Sequence, residues 1–122
     1  MIYVDDNSSE FLSWTRDDFI SHFRRMYNCR ADETQKTGRV YSSTEYFCRL
    51  DCKPIPNSLC YLCQYTDLQD SISNRSCKLC PIDWTSTGDT TCTTIYKQLL
   101  KESDACKAAS IMRTIANMPE KR

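Results

Sequence analysis

The feature that most constrains this chain is a pair of C-x-x-C motifs, Cys60–Cys63 and Cys77–Cys80. Thirteen residues separate the two motifs, a spacing that can place four thiolates at the corners of one tetrahedron, as a structural Zn²⁺ requires. Four protein ligands would close the coordination sphere and leave no position for a catalytic water. The spacing therefore predicts a structural zinc site.

Three further cysteines suggest a second zinc site. The chain has nine cysteines in 122 residues, which is well above the usual content of an intracellular domain. Cys48 and Cys52 lie at i and i+4 of a predicted helix, hence on one face, and Cys92 would be the third ligand. The candidates for a fourth ligand are Cys29, Cys106 and His22. For Cys29 and Cys106, however, we favour the interpretation that they are small buried hydrophobic residues.

The pairing of these cysteines is open at the level of sequence. The motifs can also interleave, so that Cys48 and Cys52 join Cys77 and Cys80 in one site. In that arrangement Cys60 and Cys63 would share the other site with Cys92. Spacing does not choose between the two arrangements.

Disulfides are the alternative to metal. The chain opens with Met1-Ile2-Tyr3-Val4 and shows neither a basic n-region nor an apolar h-region, so no secretory signal peptide is predicted. An odd number of cysteines also leaves one thiol over in any scheme that uses disulfides alone. Both observations favour a reducing cytoplasm and metal. The alternative is a secreted protein with up to four bridges.

The predicted fold is mostly α-helical, with an irregular zinc-stapled centre and little strand. Two glycines in the chain disfavour an all-β fold with many tight turns. At this length we expect one small domain, residues 1–122. Its predicted parts are a loosely held arm (1–14), a helical part (15–56), the cysteine-knuckle centre (57–92) and a second helical part (93–118).

Apolar spacing and capping residues predict the individual helices. Thr15 is the expected N-cap of the first helix, and Ser42 with Glu45 has capping-box spacing. Residues 30–41 are expected to form a polar loop, and the cysteine centre is expected to consist of short turns with a hairpin. The predicted helices are residues 16–28, 43–52 and 93–101, and a last helix from Ser103 or Asp104 to Asn117.

The charges and the histidine content restrict the function. Sixteen basic and sixteen acidic residues cancel, so no global field draws the protein to nucleic acid or to an anionic membrane. No apolar run approaches the roughly 20 residues that cross a bilayer. His22 is the sole histidine, which removes most enzymes that use histidine as acid or base. We therefore expect a protein that is not an enzyme and has no membrane partner.

Aromatic and arginine side chains are the expected anchors for a partner, because such residues dominate interface energetics. Arg24 and Arg25, beside Tyr27 on the first helix, are the candidates, with Trp84 as the alternative anchor. The competing interpretation is that Tyr27 and Trp84 belong to the core and that the two arginines are solvated.

The C-terminal part of the chain carries a resemblance. The string Cys77-Lys-Leu-Cys-Pro-Ile-Asp-Trp84 is followed by Cys92 and by a helix that closes with Ile115-Ala-Asn-Met-Pro119. This pattern resembles small cysteine-rich proteins encoded by bacteriophages and mobile elements. The resemblance implies a bacterial cytoplasm, metal-bound thiols and an accessory function such as interference with host defence.

Two functions follow as hypotheses. The first is a non-enzymatic, zinc-stabilised interaction protein, encoded by a phage, that inhibits a host defence protein such as a CRISPR effector. The second is a zinc-ribbon nucleic-acid-binding regulator of transcription or replication, whose knuckles would present basic and aromatic residues to phosphates and bases. The sequence indicates neither the identity of the partner nor the oligomeric state.

Overall fold

The described part of the chain is a set of packed helices. A computed structural model describes residues 11–49, 60–69, 80–88 and 92–120. Within these ranges there is no β-strand, and the predicted mostly helical fold is confirmed. The helices are α1 (Arg16–Thr37), α2 (Ser43–Arg49), α3 (Tyr61–Gln69), α4 (Thr93–Lys101) and α5 (Ala105–Ala116).

Helix α1 begins where the sequence predicts, at a capping box. The Thr15 hydroxyl accepts a hydrogen bond from the Asp18 amide at 3.2 Å, and the Asp18 carboxylate accepts one from the Thr15 amide at 2.8 Å. Trp14, immediately before the cap, packs on Phe19 with ring centroids 5.2 Å apart, which is the arrangement of a hydrophobic staple. The polar box and the aromatic pair together fix the direction from which the chain enters α1.

This cap gives a first prediction. Thr15→Ala removes the acceptor of the Asp18 amide, so we expect the free energy of unfolding to fall by about 1 kcal/mol. Urea unfolding followed by circular dichroism would measure the loss. Ser21→Ala is the matched control, because Ser21 is exposed in the interior of the same helix. An equal loss in both variants would contradict the role of the cap.

Helix α1 is longer than predicted, and the expected polar loop over residues 30–41 is wrong. The helix continues to Thr37 and ends at Gly38, whose φ of 74° is left-handed and whose amide donates to the Thr34 carbonyl at 3.0 Å. A left-handed residue after the last turn is a common helix ending, and glycine adopts it without a Cβ penalty. Gly38 therefore ends the helix, where the sequence analysis placed it inside a loop.

Buried polar side chains explain the extra turns of α1. The Arg30 side chain is buried and donates to the Tyr41 carbonyl at 2.9 Å. The Thr34 hydroxyl accepts from the Tyr41 amide at 3.0 Å and lies 3.7 Å from the Met112 sulfur. Ala31 is fully buried beside them. These polar residues look like a loop in the sequence, but their polar groups are satisfied inside the fold.

The remaining helices match the predictions unevenly. Helix α2 begins at the predicted capping box, in which the Ser42 hydroxyl accepts from the Glu45 amide at 3.1 Å. Helix α4 has the predicted bounds, and α5 begins after Asp104, whose carboxylate accepts from the Lys107 amide. Helix α3 was not predicted: its segment was expected to form turns.

No helix in the described ranges is long and apolar enough to span a membrane.

Helix α1 is the centre of the packing. It packs most extensively against α5 and also contacts α2 and α3, while α4 packs on α5. Its inner face contributes large side chains that are almost fully buried, including Phe19, Phe23 and Met26. Burial of such side chains is the main source of stability in a chain of this size.

The segment after the second C-x-x-C motif is attached to the C-terminal end of the chain. Ile82 and Glu120 form an isolated antiparallel bridge, and the Asp83 amide donates to the Pro119 carbonyl at 2.8 Å. Arg24 on α1 donates to the Met118 carbonyl at 3.0 Å. These bonds hold the residues that follow Cys80 against the α1–α5 core.

Candidate metal centre

The first C-x-x-C motif lies at the amino end of helix α3. Cys60 immediately precedes the helix, and its carbonyl accepts the first helical hydrogen bond from the Gln64 amide at 3.1 Å. Cys63 follows in the first turn, and its thiol donates to the Cys60 sulfur. Cys60 is buried, whereas Cys63 is partly exposed. Helical geometry therefore brings two of the predicted zinc ligands into direct contact.

The surroundings of Cys60 favour its thiolate form. Its pKa falls to about 6, chiefly because the Cys63 thiol donates to the sulfur; burial opposes this effect. The backbone amides of Cys63 and Leu62 and the Tyr96 hydroxyl act in the same direction as the Cys63 thiol. A thiolate is the form of cysteine that binds metal and attacks electrophiles. Cys60 is thus prepared for thiolate chemistry.

Two tyrosines form a polar layer behind Cys60. The Tyr96 hydroxyl lies 3.8 Å from the Cys60 sulfur and is hydrogen-bonded to Tyr27. Burial raises the pKa of Tyr27 to about 12 and the pKa of Tyr96 well above its ordinary value, so both hydroxyls keep their protons at neutral pH. A protonated phenol can donate a hydrogen bond to a thiolate. Tyr96 is therefore suited to orient and stabilise the Cys60 sulfur.

Cys92 lies on the same side of the molecule as Cys60. It is the residue before α4, and its carbonyl accepts from the Tyr96 amide at 3.0 Å. Ionisation of Cys60 and, to a smaller extent, of Cys92 would raise the Tyr96 pKa, so both sulfurs lie within electrostatic range of one hydroxyl. In the interleaved arrangement described above, Cys60, Cys63 and Cys92 share one site. Tyr96, the common neighbour of Cys60 and Cys92, is consistent with that arrangement.

The other predicted ligands are distributed as follows. Cys80 is buried next to the Pro81–Trp84 segment. Cys52, Cys77 and the side chain of Cys48 lie outside the described residues. Among the described side chains, no three of the types His, Cys, Asp and Glu converge closely enough to hold a metal ion. The described contacts thus link Cys60 with Cys63, and link Cys60 and Cys92 through their common neighbour Tyr96.

The interpretation of Cys29 and Cys106 as buried residues is wrong for Cys106. Its side chain is exposed on α5, at the rim of an open groove of about 640 Å³ that also contains Arg113. Cys29 is partly buried in α1 and packs at the edge of the core. Cys106 is the second residue of α5 and lines this groove together with Gln35 of α1; apolar spacing alone did not separate this exposed position from the buried ones.

The predicted partner-binding residues divide into two groups. Tyr27 is 4% exposed and Trp84 is 1% exposed, so a partner cannot reach either ring without a change in the fold. Arg24 is partly buried and donates to the Met118 carbonyl, which gives it a structural contact. Arg25 is exposed on α1. Of the four residues, Arg25 is the one that a partner can contact in this structure.

An aromatic cluster beside Arg25 was not predicted from the sequence. Trp14 stacks on His22 with ring centroids 4.2 Å apart and on Tyr61 at 5.7 Å. Trp14 and His22 are both partly exposed. Burial and the nearby Arg25 charge lower the His22 pKa, so its ring is neutral at pH 7 and stacks as an uncharged aromatic. The staple position of Trp14, directly before the predicted N-cap, was the signal that could have identified it.

Comparison with known proteins adds no assignment. The chain matches no model of a protein family, no curated protein and no solved structure. The resemblance of the C-terminal part to phage accessory proteins therefore stays a prediction. The thiol pair and the surface around Arg25 are the features of the molecule that bear on its function.

Proposed function

We propose that this chain is a non-enzymatic interaction protein whose centre is held together by zinc. The observation that carries the proposal is the position of the pair: Cys60 directly precedes α3 and Cys63 lies in its first turn. The Cys63 side chain, and to a smaller extent the backbone amides of this turn, lower the pKa of the Cys60 thiol. Paired thiolates across one C-x-x-C turn are the usual half of a structural zinc site. The hydroxyl of Tyr96 would supply the outer hydrogen bond that such ligands commonly receive.

Two ligand sets would complete this site. In the first, Cys77 and Cys80 supply the second pair, as their spacing predicts. In the second, Cys92 joins Cys60 and Cys63, which the shared neighbour Tyr96 favours. Cys48 and Cys52 would then belong to a second site. Either arrangement would link α3 to residues that precede α4 in the chain.

The partner in this proposal is a host protein. In this proposal the host protein binds a surface that consists of Trp14, His22 and Arg25, which we call the aromatic edge. Trp and Arg are enriched among the residues that dominate binding energy, and Leu12, two residues before Trp14 in the chain, is 71% exposed. On the basis of the C-terminal resemblance, we propose that the chain acts in the cytoplasm of a bacterial host and inhibits a defence protein such as a CRISPR effector.

The aromatic edge gives a second prediction. We expect Arg25→Ala to weaken binding to the purified host partner by about tenfold or more, because truncation of a central interface arginine typically costs at least about 1–2 kcal/mol. Affinity capture from bacterial lysate would identify the partner, and calorimetry would measure the affinity. Lys36→Ala is the control, since Lys36 is exposed near the other end of α1.

The same experiment tests nucleic-acid binding as the alternative. A ligand held by phosphate contacts would be nuclease-sensitive, and its affinity would fall steeply between 50 and 200 mM salt. Recovery of such a ligand in place of a protein would contradict the proposed function. If Arg25→Ala and wild type bind a protein partner with equal affinity, the interface does not lie at the aromatic edge.

A further inference from the structure

We propose that the groove between α1 and α5 is a binding site for a small oxyanion, a carboxylate or a phosphate, which Arg113 would hold. The groove has a volume of about 640 Å³, which lies in the range of small-molecule sites. Its lining residues come from the end of α1, from α5 and from the stretches around Ser86 and Pro119. This binding goes beyond the proposed function and depends neither on zinc nor on a protein partner.

The Arg113 side chain is held in place at the wall of the groove. Its Nη2 atom donates to the Asp32 carboxylate at 2.6 Å and to the Gln35 side-chain oxygen at 2.7 Å. Both acceptors lie on α1, so they fix the guanidinium group between the two helices. A side chain that is already ordered loses little conformational freedom when it binds a ligand.

The two bonds of Arg113 leave other donors of the same group free to bind. A guanidinium has five N–H donors. The Nε and Nη1 atoms of Arg113 donate to no group in the part of the chain that the structure describes. The side chain is 38% exposed, and both atoms reach the surface. A ligand in the groove can therefore accept hydrogen bonds from them.

Two neighbouring side chains add further donors. Gln35 accepts from Arg113 through its side-chain oxygen, so its Nε2 group is left to donate. Ser110 precedes Arg113 by three residues on α5, and side chains three apart on a helix are neighbours. The Ser110 hydroxyl has no hydrogen bond to any residue within the described ranges. Donors from α1 and from α5 thus surround a position that suits a ligand rich in oxygen.

The charges of the groove favour an anion over a cation. No carboxylate is present among its described lining residues, and the Asp32 carboxylate is already paired with Arg113. A cationic ligand would therefore meet a guanidinium and no free negative charge. A carboxylate or phosphate would instead accept charge-assisted hydrogen bonds, which are stronger than those between neutral groups.

An anion titration followed by amide NMR shifts tests this site. The full-length protein, as purified, is titrated separately with sodium phosphate and with sodium succinate, and sodium chloride keeps the ionic strength constant. We expect at least one of the two anions to give saturable shifts of the amides around Ser110 and Arg113. Arg113→Met should weaken this binding by about tenfold or more, because it removes charge-assisted hydrogen bonds.

Asp32→Asn is the matched control. It breaks the same ion pair but keeps the guanidinium and removes a negative charge, so its affinity for the anion should equal or exceed that of wild type. Circular dichroism checks that both variants are folded.

The outcomes decide both the site and its ligand. Saturation by phosphate alone would assign a phosphate ligand, and saturation by succinate alone would assign a carboxylate; either result supports the site. Shifts that do not saturate with either anion in wild type overturn it, and this result does not depend on the folding of any variant. Equal affinity of folded Arg113→Met and wild type would overturn the role of Arg113 and, with it, the proposal.

Discussion

Phe23→Ala should lower the free energy of unfolding by about 3–5 kcal/mol. Phe23 is completely buried on the inner face of α1, and its ring lies 5.1 Å from the Tyr27 ring and 6.2 Å from the Trp84 ring, centroid to centroid. Its removal would leave a cavity at the point where α1 meets the segment after the second C-x-x-C motif. Urea unfolding monitored by tryptophan fluorescence and circular dichroism would measure the loss.

Leu100→Ala is the control for Phe23. Leu100 is 85% exposed on α4, so its truncation should change the stability by no more than about 0.5 kcal/mol. If Phe23→Ala is too unstable to purify, Phe23→Leu should still unfold at a lower urea concentration than wild type. Wild-type stability in both Phe23 variants would contradict the core described above.

Cys60→Ser should be far more damaging than Cys106→Ser. If Cys60 ligates zinc, its replacement opens a closed site, and loss of a structural metal belongs to the few mechanisms that cost about 4 kcal/mol or more. Cys106 is exposed, so its replacement should cost no more than about 0.5 kcal/mol. Thermal unfolding at equal protein and zinc concentrations would compare the two variants. If both variants lose the same small amount of stability, Cys60 is not a ligand of a metal site that stabilises the protein.

Helix starts could be predicted from the sequence because their signals are local. The Thr15 capping box and the Asp104 cap involve residues three positions apart, and both helices begin where these signals place them. The carboxyl-terminal part of α1 could not be predicted in the same way. Its polar residues are helical because Arg30 and Thr34 find partners on the Tyr41 backbone. Such contacts form only after the chain has turned back, and they override a weak local preference.

The candidate site was predictable to a similar extent. Spacing alone identified Cys60 and Cys63 as a pair, and the structure shows them in contact. Spacing did not reveal α3, because the residues between and around the cysteines suggested turns. Tyr96 lies within the predicted helix 93–101, but its contact with Cys60 joins positions 36 residues apart. Contacts of this kind depend on tertiary packing, for which one sequence without a fold gives no signal.

Residue type alone was a poor predictor of the partner-binding residues. Tyr27 and Trp84 were chosen because aromatic residues are frequent in interfaces. Their burial follows from the same property, since large aromatic rings also dominate cores. Trp14 differs because the capping geometry of α1 holds it at the surface, partly exposed, against His22.

The most direct test of the zinc centre is the metal and thiol content of the purified protein. We predict at least one zinc per chain by elemental analysis, together with a denatured intact mass that corresponds to nine reduced cysteines. Chelation should then release the zinc and unfold the centre of the chain. A protein without zinc, whose intact mass lacks eight hydrogens because it contains four disulfides, would contradict the account.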